Sequence, residues 1–399
     1  MDYKNETLGA LSVGGKGSYG IGASAVDFSE DLYTYLRITD INDDGTLNSN
    51  DRKSVDDEKA AQYLLKENDI VFARTGASTG RNYFYDGTEG ELVYAGFLIK
   101  FSIDPQKINP KYVKYYCQST QYKNWVVSFN TGSTRGNINA QTFSNMVIPV
   151  PDRMQQDKAV SILEILDRKI QIARDTICEL EEQAMILFRN YFVDFGMYNG
   201  VKPNEWKEGP LGEFVTIKRG GSPRPIQEYL SDEGLRWLKI SAVTELNSPF
   251  VLDIKEHIKE SGLKKTDQLY EGALVLSNSA TPGIPKILAV DSCIHDGWLY
   301  FPESKLPKEY LYLFFKVIRK NLVAYGNGSV FTNLKTDILK NYVTFLPSKE
   351  VLDEFESLVA PSFNLMKSLS RQIVELQSIK TNLLQQIISG NIDLIDCDI

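Results

Sequence analysis

A chain of 399 residues and 45.1 kDa exceeds one ordinary hydrophobic core, which predicts two or more domains. With 42% hydrophobic and 24% charged residues it has the composition of a folded protein, which excludes wholesale disorder. No stretch approaches the roughly 18 consecutive apolar residues of a membrane span, and the opening "MDYKNETLGALSVGGKG" carries no apolar signal core, so a cytoplasmic protein is expected.

The net charge of −8 argues against a uniformly basic surface. Its acidity concentrates in residues 152–195 and 347–399, however, and phosphate binding needs only a local basic patch. Cys117, Cys178, Cys293 and Cys397 are far apart with no CxxC pair, and His257 and His295 are the only histidines. Neither a disulfide framework nor a zinc site is suggested, and no metal is expected in this chain.

In chain order, residues 1–150 read as short β-branched and aromatic runs ("YLRITDI", "DIVFAR", "GFLIKFSI") broken by Gly, Asn and Asp turns. One helix is expected over Asn109–Ser128, and the pattern is that of a compact α+β, mixed-sheet domain. Residues 151–193 then carry Leu163, Leu166, Ile170, Ala173, Ile177, Leu180, Ala184, Leu187 and Tyr191 at alternating spacings of three and four, a coiled-coil seam. Residues 194–205 are Gly-, Pro- and Asn-rich and read as a linker. A second α+β domain follows over 206–346, with a helix expected over Pro307–Tyr325. A second spacer helix is expected over 347–391 and a tail over 392–399. Val359, Ser362, Met366, Leu369, Ile373, Leu376, Lys380, Leu383 and Ile387 repeat the seam 196 positions later; Ser362 and Lys380 break it, and Ser389-Gly390 supplies a stop.

The whole order is a duplication. "LGALSVGGKGS" from Leu8 answers to "LGEFVTIKRGGS" from Leu211, and "YLRITDI" from Tyr35 to "WLKISAV" from Trp237. "LLKENDIVFARTGASTG" from Leu64 answers to "QLYEGALVLSNSATPG" from Gln268. "NTGSTRGNIN" from Asn130 answers to "YGNGSVFTNL" from Tyr325, with Ile138 and Leu334 also 196 positions apart. Finally "NMVIPVP" from Asn145 answers to "NYVTFLP" from Asn341. The economical arrangement is two pseudo-twofold-related globules separated by two long helices that pair as an antiparallel coiled coil; helices packing on their own domains are the alternative.

Catalytic motifs fail on context. "GKGSYG" at Gly15 matches GxGxxG but has no helical pattern after it, and its counterpart "GGSPRP" carries prolines. "GASTG" at Gly76 matches GxSxG, but "RNYFYDG" follows as a strand, so a tight turn is the better reading. "NPKY" at Asn109 is a proline opening a helix.

What remains is a set of polar, Gly-rich loops at matched places. The first half offers Arg74, Thr75, Ser78, Thr79 and Arg81, then Thr131, Ser133, Thr134, Arg135 and Asn137. The second offers Lys218, Arg219 and Arg224, then Asn278, Ser279, Thr281 and Lys286, and finally Asn327, Ser329, Thr332 and Asn333. Arg, Lys, Asn, Ser and Thr contact phosphates and read base edges, Arg pairing with guanine and Asn with adenine.

With these residues in view, the chain resembles the specificity subunit of type I restriction–modification systems over essentially its whole length. "YLRITDI", "LLKENDIVFARTGASTGR", "NTGSTRGNINAQTFSNMVIPVP" and the paired "PNEW…LGEFVTIKRGGSP" carry the resemblance. It implies two target-recognition domains, each reading half of a split double-stranded DNA site, and no catalysis by this chain. It further implies spacer helices that dock two methyltransferase subunits, which would bring S-adenosylmethionine, and a restriction-motor subunit that would use ATP and Mg. Three departures stand out. "SNSATPG" has no arginine where "ARTGASTG" has Arg74, so the two domains are expected to read different half-sites. The first half has no match to Pro203–Trp206, and the acidic stretch Asp40–Glu58 should face away from phosphate. A two-domain protein–protein adaptor working through its coiled coil is the alternative reading.

Overall fold

A computed structural model describes residues 3–48, 51–129, 136–244, 246–325 and 334–394. The chain divides into two compact units, Met1–Arg168 with Gln377–Ile399, and Lys169–Leu376. Each is mixed α+β, and each long helix contributes to both.

In the first unit, strands Ser18–Tyr19, Leu98–Ser102, Asp69–Ala73 and Asn82–Tyr85 lie in that order in an antiparallel sheet. Asp69–Ala73 is buried at all five positions, which explains its unbroken apolar run. A second sheet orders Ala25–Asp27, Lys53–Val55, Tyr33–Leu36 and Leu92–Tyr94, the last pair parallel. Lys4–Thr7 pairs antiparallel with Val147–Val150, so the two ends of the domain close on each other.

Two local expectations are revised. The run from Tyr35 leaves the sheet after Leu36 and turns through a 3-10 segment at Ile38–Asp40. Asp40 turns it, accepting from the Arg37 backbone N–H at 2.8 Å and from the Arg37 guanidinium at 2.6 Å. The helix expected over Asn109–Ser128 is two helices, Pro110–Tyr116 and Thr120–Val127. Ser119 breaks it, since its hydroxyl accepts from the Tyr122 N–H at 3.2 Å and caps the second piece.

The second unit repeats the first with additions. Val215–Arg219, Trp298–Ser304, Leu274–Ser277 and Pro285–Leu288 form the matching antiparallel order, extended by a fifth strand, Phe250–Val251. Leu230–Ser231, His257–Ile258, Leu235–Leu238 and Ser292–Ile294 form the other sheet, again with a parallel pair, and Asp267–Leu269 extends it. Of the segment read as a linker, Phe195 and Tyr198 pack against Trp206, at 6.2 and 5.3 Å, while Met197, Asn199, Gly200, Val201, Asn204 and Glu205 are exposed.

The long helices are Arg153–Phe192 and Lys349–Ile388. In the first unit the opening turns of one (Ala159, Val160, Leu163) share a core with the closing turns of the other (Leu384, Ile387, Ile388). In the second unit the pairing is reversed, Phe188, Tyr191 and Phe192 sharing a core with Leu352, Phe355 and Val359. Within each unit the helices are therefore antiparallel. The break in the seam at Lys380 is filled by charge. Its ammonium donates to Asp167, which also accepts from the Tyr115 hydroxyl at 2.9 Å. Lys380 also sits 5.3 Å from the Tyr115 ring. Gly390, at φ 72, follows the helix end at Ile388.

Candidate nucleic-acid interface

Backbone hydrogen bonds set the two units in register. Ile138 N–H donates to the Arg74 carbonyl at 2.9 Å, as Leu334 N–H does to Asn278 at 2.6 Å. Arg74 N–H donates to the Phe97 carbonyl at 3.1 Å, as Asn278 N–H does to Gly297 at 2.8 Å. Gly80 returns to Ala73 as Gly283 returns to Ser277, each at 2.8 Å. Tyr19 faces Ile99 in the sheet as Arg219 faces Leu299. Positions 19, 74 and 97 thus correspond to 219, 278 and 297, and one frame carries Tyr, Arg and Phe while the other carries Arg, Asn and Gly.

In the first unit the Arg74 guanidinium lies 5.2 Å from the Tyr19 ring centre and 6.0 Å from that of Phe97. Both rings are exposed, at 43% and 55%. Tyr19 is fixed because its hydroxyl oxygen accepts from Ala140 N–H at 3.2 Å. The Arg74 Nε is enclosed with no acceptor. Such an orphan costs about 1–3 kcal/mol, against about 0.5–1 kcal/mol from each exposed cation–π contact. Thr75 bridges to Asn137, which is exposed. Thr79 hydroxyl lies 2.8 Å from the Gly76 carbonyl and 2.9 Å from that of Gly136, tying the loop to the strand that carries Asn137. Ser78 is buried. Arg81 is held by Asp43 at 2.6 Å and by the Ile41 carbonyl at 3.1 Å. The acidic stretch expected to face away thus places one carboxylate against a candidate arginine, because Arg81 has the reach to meet it.

In the second unit the basic residues converge on Asp296. The Arg219 Nε donates to its carbonyl at 2.5 Å, Arg224 to its carboxylate at 3.1 Å, and the Ser222 hydroxyl to its carboxylate at 2.7 Å. Burial works to raise the Asp296 carboxyl, but Ser222, Arg219 and Arg224 outweigh it and hold it below the usual range. Burial pushes the neighbouring His295 down, with Asp296 opposing, and its Nδ1 accepts from Gly297 N–H at 2.7 Å. Asn278 is 3% exposed; its amide donates to the Asp296 carbonyl at 3.3 Å, while its Oδ1 has no donor. A Cβ at Gly297 would fall 2.1 Å from the His295 ring and 2.7 Å from the Ser279 hydroxyl, so this position is closed to any side chain. Lys218 is exposed, and Ser279 and Thr281 are half-buried.

Lys286 does not join the surface. It is 5% exposed, and its ammonium donates to the carbonyls of Leu246 and Ser248 at 2.6 and 2.5 Å. Burial lowers it to about 8. It belongs to the core of its sheet. Thr131, Ser133, Thr134 and Arg135, and Asn327, Ser329, Thr332 and Asn333, lie outside the described residues. Sequence reasoning missed Tyr19, Phe97 and Asp296. An aromatic side chain beside a glycine, in "SYG" and "GF", is the signal that marked the first two. Among the described residues no group of acidic, His and Cys side chains could hold a metal, and no helix is long and apolar enough to cross a membrane.

One hydrogen-bonded frame is built twice in this chain, with different side chains at its matched positions. The chain belongs to the type I restriction modification DNA specificity domain family, whose model matches it twice, over residues 30–182 and 203–373. It is similar to the type I restriction enzyme MjaIX specificity subunit of Methanocaldococcus jannaschii, at 20% identity over 309 residues, 71% of this chain and 69% of that one. The HindI specificity subunit of Haemophilus influenzae is 21% identical over 407 residues, 83% of this chain and 88% of that one. The crystal structure of a type I S subunit from M. genitalium shares the fold, with a TM-score of 0.55 at 14% identity over 97% of this chain and 96% of that one.

Proposed function

We propose that this chain is a non-catalytic, cytoplasmic specificity subunit that reads a bipartite DNA target, one half-site per unit, for partner subunits that perform the chemistry. The observation that carries the reading is the register-matched frame with unlike side chains: the same backbone bonds recur, yet Tyr19, Arg74 and Phe97 are replaced by Arg219, Asn278 and Gly297. Structural duplication alone would have no need of different polar and aromatic chemistry at matched positions.

The partners expected are two methyltransferase subunits bringing S-adenosylmethionine, and restriction-motor subunits using ATP and Mg. The long helices offer them purchase. Ile165, Ile172 and Ile186 on the first, and Leu358, Leu365 and Ile379 on the second, remain exposed at multiples of seven residues. That spacing keeps each set on one helix face, outside the buried seam.

The test is selection from a randomised duplex library by the chain co-purified with a type I methyltransferase subunit of the same organism. Enrichment of two defined half-sites around an undefined spacer is the expected result. A stable complex that enriches no sequence would favour the protein–protein adaptor instead.

A further inference from the structure

We propose that Arg74 reads a guanine in the first half-site, its guanidinium presented to the base edge by Tyr19 and Phe97; this rests on the DNA-reading function above. Three observations converge. First, among the described residues nothing pairs with this guanidinium by hydrogen bond or charge; its contacts are the two aromatic rings at 5.2 and 6.0 Å. Of the other basic candidates, Lys218 is exposed, Arg81 is engaged by Asp43, Arg219 and Arg224 by Asp296, and Lys286 by backbone carbonyls.

Second, the group is held in place. Both backbone polar groups of Arg74 are bonded, to Phe97 and Ile138, and Tyr19 is anchored by Ala140. A guanidinium packed against two rings has its planar fork oriented in advance for a planar acceptor pair. With Nε enclosed, the terminal Nη donors are the ones left to a ligand, and guanine O6 and N7 match them bidentately.

Third, the matched position in the other unit also carries an unsatisfied polar atom. Arg74 and Asn278 occupy equivalent backbone positions, and each has one buried side-chain atom, Nε and Oδ1, without a partner. Buried polar groups are normally paired, so a polar side chain kept at the same position with an unpaired atom in two differently furnished copies is not explained by packing. Because an asparagine and not an arginine stands there in the second unit, the two half-sites differ at this base pair.

The experiment applies R74K and R74A, each in the assembled methyltransferase complex, to the same randomised library, with affinity for an unrelated duplex measured alongside. R74K keeps the charge and loses the fork. Wild type should show an invariant guanine in one half-site. Both variants should lose preference at that base pair by about tenfold to a hundredfold, with every other position unchanged and the unrelated-duplex affinity of R74K retained. The assignment is overturned if R74K keeps the guanine preference, if R74A weakens all duplexes equally as a phosphate contact would, or if the wild-type motif has no guanine in either half. Failure of the wild-type complex to enrich any bipartite sequence is a separate result, and it would overturn the DNA-reading function itself.

Discussion

Two glycines of the loop after Arg74 give a prediction whose magnitude follows from geometry. Gly76 and Gly80 both have left-handed backbones, at φ 80 and φ 86. A Cβ at Gly76 meets nothing within 4 Å, whereas at Gly80 it would lie 2.5 Å from the Val126 Cγ1. Gly80 cannot drift away, since its N–H is bonded to Ala73 at 2.8 Å and its carbonyl accepts from the Tyr122 hydroxyl at 2.6 Å. G76A should therefore cost only the backbone term, about 1 kcal/mol. G80A should add overpacking to it, for a total of about 2–4 kcal/mol. Urea denaturation, followed by the fluorescence of Trp125 (the only tryptophan in the first unit), reads the difference. V126A in the G80A background should recover part of the loss, because it removes the atoms that clash. Equal costs for G76A and G80A, or no rescue by V126A, would refute the packing argument.

Other substitutions test other parts of the structure. Lys286 is lowered to about 8 by burial, so between that pH and its ordinary 10.5 the unfolded chain binds more protons and stability rises with pH. K286M removes that rise. Its stability relative to wild type should fall by about 3 kcal/mol between pH 7.5 and 11, measured by denaturant titration at each pH; a constant difference would contradict the burial of the ammonium. In the first unit, K380M strands Asp167 with only Tyr115 and should cost about 1–3 kcal/mol. The K380M/D167L pair should recover most of that in a double-mutant cycle, and strictly additive costs would show the two groups are not coupled.

The repeated frame was legible in sequence because similar short motifs recur in the same order: Ile138 and Leu334, 196 positions apart, make the same bond to Arg74 and Asn278, which are 204 apart. The helical seam was legible for a similar reason, since burial recurs with the helix period at Leu163, Ile170, Ala173, Ile177, Ala184 and Tyr191. What periodicity cannot show is partnership across distant segments. Lys380 reads as a flaw until Asp167 is found beside it, and Arg81 reads as a free cation until Asp43 reaches it. Lys286 reads as a surface lysine because it follows a polar loop, and only its place in the wholly buried strand Pro285–Leu288 reveals the contrary. Tyr19 and Phe97 lie 78 positions apart in the chain and acquire meaning only where the strands bring both rings to Arg74.

The central claim is that one chain reads two unlike half-sites for a partner that marks them. Single-molecule methylation sequencing of the source genome, with this gene intact and deleted, tests it most directly. The account predicts an adenine-methylated motif made of two different half-sites around an undefined spacer, present only with the gene. A methylome unchanged by the deletion in cells whose type I methyltransferase is active, or a lost motif that is contiguous or made of identical halves, would contradict it.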